Sequence, residues 1–77
     1  MLAFVLITCD AGKDKDVMEF LSKIDEVREA YEVYGSYDII VKLEAEGEAD
    51  LKRVVNEVIR RIDGVKSTLT MIAYPAS

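Results

Sequence analysis

The chain has 77 residues, 32% of them charged, with a net charge of −5, one cysteine and no histidine. That length allows one domain, 1–77. The acidic balance argues against direct binding to nucleic acid, which needs basic surface to displace counterions from phosphates. A lone thiol excludes an internal disulfide, and without histidine no zinc site or other metal site is expected.

Met1–Ile7 (MLAFVLI) is apolar but too short to cross a bilayer, and it lacks a basic leader. No membrane partner is expected, and the expected location is cytoplasmic. Ala3–Cys9 reads as a strand that is apolar on both faces, so both faces should be covered. Gly12 and its polar neighbours break it. Lys13 to about Ile24 reads as a helix with Val17, Met18, Leu21 and Ile24 on one stripe and Phe20 on its shoulder. Asp14 and Asp16 suit its positive N-terminal end.

Val27–Tyr34 alternates as a strand, and its charges suit an edge position. Gly35 and Ser36 interrupt it, and Tyr37–Leu43 follows as a third strand. Glu44–Asp50 is an acidic link without calcium-loop spacing. Leu51, Val54, Val55, Val58, Ile59 and Ile62 then repeat at helical spacing. Gly64 is placed to end that helix in a left-handed conformation. Val65–Tyr74 is the last strand, stopped by Pro75. The order βαββαβ predicts an α+β, ferredoxin-like sandwich: a four-stranded antiparallel sheet with two helices on one face.

That topology leaves one sheet face without helices. Val5, Ile7, Ile40 and Ile72 are expected on it, as a dimer interface. A chain this short buries only about 60% of its unfolded surface, which also favours a partner subunit.

The apolar first strand, the hairpin Gly35-x-Tyr37-Asp38 followed by Ile39-Ile40-Val41, and Gly64-Val65-x-x-Thr68-x-Thr70 stand in a telling order. With them the chain resembles the effector-binding RAM domain of Lrp/AsnC transcription regulators, over essentially its whole length. No helix-turn-helix DNA-binding domain is expected beside it, so the resemblance is to a stand-alone RAM domain. It implies a non-catalytic module in a dimeric αβ-barrel-type assembly, with dimers ringed into larger oligomers. It also implies an amino-acid effector held near dimer–dimer contacts. Mixed assembly with full-length Lrp/AsnC regulators is a further expectation.

An amino acid is a zwitterion, needing donors for its carboxylate and acceptors for its ammonium. The Gly35, Ser36 and Tyr37 amides suit the first need and Asp38 the second, while Thr68 and Thr70 add hydroxyls. Each also has a plainer reading. Gly35 serves as a turn residue, and Asp38 as an acceptor for turn amides. Tyr34 and Tyr37 serve as packing aromatics, and the threonines as strand formers. Cys9 reads as a small apolar residue. Two alternatives share the topology: a small dimeric enzyme of isomerase or monooxygenase type, and an ACT-like amino-acid sensor. The absence of histidine and of any cofactor motif argues against the enzyme. Gly12 is a poor match for the glycine that an ACT domain carries at its first strand–helix junction.

Overall fold

A computed structural model describes residues 1–76. The first strand, β1, runs Leu2–Cys9 and is followed by α1, Asp14–Leu21. Then come β2 (Val27–Glu32) and β3 (Ile39–Glu44). The second helix, α2, starts at Glu48 and runs to Arg53; a π-helical turn (Val54–Val58) and a 3₁₀ turn (Ile59–Arg61) extend it. The last strand, β4, is Val65–Ala73. The strands form one antiparallel sheet in the order β2-β3-β1-β4, so the expected architecture is the observed one.

The register decides which face each side chain takes. Val5 stands opposite Val41 and Thr70, and Ile7 opposite Ile39 and Thr68. Directly opposed residues share a face. This set, with Ala3 and Leu43, packs beneath the helices against Val17, Leu21, Leu51, Val54 and Ile59. Apart from Thr68 and Thr70, which are half-buried, and Leu51 (3% exposed), these residues have no exposed surface at all. Among the described residues, no polar or charged one is buried with them.

Three of the four residues expected at the interface lie on the other face of the sheet. Val5 and Ile7 belong to the core, because the odd-numbered positions of β1 face the helices. Ile72 also lies on the helix side, opposite Ala3, although it is 40% exposed. Only Ile40 lies on the open face, opposite Leu6 and Tyr31. The open face instead carries Leu2, Phe4 and Leu6 from β1 with Leu69, Met71 and Ala73 from β4.

The acidic link does more than join β3 to α2. Asp50 accepts a hydrogen bond from the Glu46 amide (3.1 Å) and pairs with Arg53 (2.8 Å). Arg53 also reaches Glu26 at 2.7 Å, tying α2 to the entry of β2. The widened turn of α2 falls on a run of β-branched residues, Val54, Val55, Val58 and Ile59, whose side chains crowd the preceding turn.

The second helix ends as expected at Gly64, with φ +101°. The Gly64 carbonyl accepts the Asp10 amide at 2.8 Å, which joins the end of α2 to the β1–α1 turn. A Cβ at Gly64 would stand 2.6 Å from Lys13 Cβ. Gly64→Ala is therefore expected to cost about 2 kcal/mol or more, combining an unfavourable φ with a steric clash. Urea unfolding would show this as a lower midpoint at unchanged slope; an unchanged midpoint would show that the junction is slack.

Candidate functional site

The YGSYD stretch, Tyr34–Asp38, closes the β2–β3 hairpin at the end of the sheet where β1 finishes. Val33 donates its amide to the Asp38 carbonyl (2.9 Å), and Asp38 donates its amide to the Ile7 carbonyl (2.9 Å). The strand pairing thus reaches Asp38. Gly35 has φ +136°, a conformation that side chains disfavour, with open space where a Cβ would sit. Its turn role is thereby accounted for. Ser36 is exposed, Tyr37 is half-buried, and Tyr34 projects fully into solvent.

Asp38 has a structural task. Its Oδ2 accepts the Cys9 amide at 2.7 Å, a charge-assisted bond that holds the end of β1. The plainer reading, an acceptor of backbone amides, thus holds for this oxygen. The amide it serves lies on a neighbouring strand rather than in its own turn.

The hairpin borders a basin of about 480 Å³ lined by Asp14, Lys15, Glu32, Val33, Tyr34 and Asp38. Three acids and one lysine make it negative. Hydrogen bonding between the Asp14 and Glu32 carboxyls raises the pKa of Glu32 above its ordinary value and lowers that of Asp14. Nothing in the sequence links this pair: Asp14 reads there as a helix-start residue and Glu32 as an edge charge.

Thr68 and Thr70 do share a face, as expected, but they do not join the hairpin. β1 lies between β4 and β3, so Thr68 stands two strand spacings from Ile39, about 10 Å. Thr70 belongs to a different groove, of about 260 Å³, between α2 and β4. Its apolar floor is Leu51, Val55 and Ile72, and Glu48, Lys52 and Asn56 stand along the helix side. The helical stripe in the sequence contained Leu51 and Val55, but only the strand register shows that Thr70 and Ile72 face them. The six expected ligand residues thus divide between two places within one chain.

The Lrp/AsnC ligand binding domain, taken as a family, matches residues 2–76. The chain belongs to the Lrp/AsnC family. It is 43% identical over 72 residues to the HTH-type transcriptional regulator FL11 of Pyrococcus abyssi, a match covering 94% of this chain and 47% of that protein. The chain thus spans about half the length of the curated regulators it matches. The crystal structure of FFRP-DM1 superposes with a TM-score of 0.92 at 46% identity, covering 95% of this chain and 97% of that one. A homocitrate synthase of Sulfolobus acidocaldarius is 38% identical over 73 residues, which are 94% of this chain but 15% of that protein. The Lrp/AsnC domain therefore occurs beside different companions.

Cys9 offers a local probe of the hairpin end of this Lrp/AsnC domain. Burial, then the nearby Asp38 carboxylate, push its thiol up to about 11 from an ordinary 9.0. The folded state holds this proton more tightly than the unfolded chain does. That contribution to stability is complete below about pH 9 and is lost as pH rises through about 11. At pH 8 alkylation of the folded protein is expected to run about a hundredfold slower than that of an unstructured cysteine, in proportion to the thiolate fraction. Equal rates would overturn the shift.

Asp38→Ala is expected to cost about 1–3 kcal/mol by leaving the Cys9 amide without its acceptor, and Asp38→Asn less, because an oxygen remains. Thermal unfolding of both variants would check the order.

Proposed function

We propose that this chain is a non-catalytic sensing and assembly module: it binds an amino-acid effector and forms dimers, through its open sheet face, that join into larger oligomers. The observation that carries the reading is the face without helices. Phe4, Leu6 and Ile40 lie partly exposed beside Leu69 (46% exposed) and Met71 (44%). Monomers seldom leave such a continuous apolar patch in water. A second copy of the same face is a self-complementary cover for it, as a two-fold dimer requires.

The outer edge of β4 points the same way. Ser67–Ala73 carries no charge or proline to blunt its free hydrogen-bonding side, whereas β2 at the other edge carries Arg28, Glu29 and Glu32. The relatives named as transcription regulators support a role in adjusting regulators, through mixed oligomers with full-length members of the family. The homocitrate synthase match favours a second reading, in which the module senses an effector on behalf of an enzyme. In both readings the chain itself performs no chemistry and contacts no nucleic acid. No described helix is long and apolar enough to cross a membrane, which fits a cytoplasmic place of action.

Leu6→Glu and Met71→Glu, each placing a charge in the middle of the open face, are expected to convert the oligomer to folded monomers at micromolar concentration. Native mass spectrometry with circular dichroism would check both the mass and the fold. Full-size oligomers from both variants would remove this face from the interface. The same spectra, recorded with and without the twenty amino acids, should show retained ligand mass on the wild-type oligomer. Its absence for all twenty would defeat the sensing half of the proposal.

A further inference from the structure

Glu29, Tyr31, Lys42, Thr8 and Ser67, polar side chains of the open sheet face, are paired with one another within the chain. Glu29 stands directly opposite Lys42 in the register, and Lys42 opposite Phe4. Lys42 Nζ lies 3.2 Å from Glu29 Oε2, and the Tyr31 hydroxyl donates to Glu29 Oε1. Each carboxylate oxygen thus has its own donor. Tyr31, and then Lys42, hold the Glu29 carboxyl below its usual range, so it is charged, and Lys42 matches that charge. At the hairpin end of the same face the Thr8 and Ser67 hydroxyls bond to each other between β1 and β4.

We propose that Glu29, Tyr31 and Lys42 form a charge-neutral cluster that is buried between the two sheets of the dimer and makes this face accept a second copy of the chain in one register. This deepens the proposed function and rests on it, since it names what directs the pairing of the same face. With Phe4 and Ile40 the cluster lines a hollow of about 180 Å³. That lies well below the usual range of small-molecule pockets, about 300–1,000 Å³, and suits a side chain from a facing sheet better than a free ligand. The hollow is continuous with the apolar patch through Phe4 and Ile40, which neighbour Met71 and Leu6 in the register. A face that is apolar and net neutral offers nothing to nucleic acid or to a strongly charged peptide, and it matches itself.

In one chain alone the ion pair does little. The Lys42 and Glu29 side chains are 39% and 43% exposed, and water screens them. Beneath a second sheet the same pair loses its water. It withstands that loss because both Glu29 oxygens are already filled. Removing one partner would leave a lone charge under the facing sheet, which is costly. Replacing both by apolar side chains would remove the charges and the cost together. A register that parts the cluster from its hollow meets the same penalty as a single deletion. The cluster therefore discriminates between pairings more than it tightens the correct one.

The test is subunit exchange between unlabelled and nitrogen-15-labelled copies, read by native mass spectrometry as the rate at which mixed-isotope dimers appear. Lys42→Met and Glu29→Gln each leave one charge alone, and each is expected to exchange about tenfold faster than the wild type or more. The double variant Glu29→Met with Lys42→Met has no charge to strand and should return to within about threefold of the wild-type rate. Its register should loosen all the same: the Ile40 δ1 methyl is expected to give one NMR signal in the wild-type dimer and several in the double variant. Should Lys42→Met fail to fold, Tyr31→Phe, which keeps both charges and removes one donor, is expected to speed exchange severalfold. Wild-type exchange rates in the single variants would overturn the cluster and leave the sheet-face dimer standing. A single Ile40 signal in the double variant would overturn its role in register. A wild-type chain that stays monomeric would overturn this inference together with the assembly reading on which it rests.

Discussion

The constraint on which the rest depends is that one layer of helices must cover a sheet with two apolar faces. A chain of 77 residues supplies two helices, and the βαββαβ connections place both on the same side. On that side the sheet reaches full burial: Val5, Ile7, Ile39, Val41 and Leu43 have no exposed surface. On the other side Phe4, Leu6, Ile40, Leu69 and Met71 have no helix over them. The fold completes its inner layer within the chain and leaves its outer layer without a helix. Under the proposed function, assembly is a consequence of the same patterning that forms the core.

The secondary structure was legible because the helices, β2 and β3 carry their own periods and β1 is a short apolar run bounded by Asp10 and Gly12. The α2 stripe from Leu51 to Ile62 admits no other reading, and Gly64 closes it with the left-handed backbone that its position predicts. The two faces of the sheet were not legible. β1 is apolar at every position from Leu2 to Ile7, so nothing in its sequence separates odd from even. A shift of one residue exchanges the two sets completely. The missing information lay in pairing: Val5 opposite Val41 and Thr70 is what commits the odd positions to the helices. Ile40 was placed correctly because β3 does alternate, with Ile39, Val41 and Leu43 set against Ile40 and Lys42.

The candidate site divides along the same line. The chemistry of YGSYD could be read as a list of donors and acceptors, but not the prior commitment of Asp38 to the Cys9 amide, which needs two strands to be neighbours. The same holds for Asp14 and Glu32. They are 18 positions apart in the chain, one at a helix start and the other at a strand end, and only the packing of α1 beside β2 brings their carboxyls together. Local roles of residues were legible, and long-range partnerships were not.

Strand order finally bears on how sensing and assembly are related. The hairpin lies between β2 and β3, and Thr68 and Thr70 lie on β4 at the opposite edge, with β1 between. No flexing of a four-stranded sheet brings those edges together, because β1 is hydrogen-bonded on both sides along its length. A small ligand that needed both sets of groups would have to take them from two chains. Under the proposed function its binding energy would then depend on how the copies are arranged, and by reciprocity the arrangement would depend on the ligand. A rigid domain with no moving lid can respond to an effector in this way, because what the ligand stabilises is a contact between domains rather than a conformation within one.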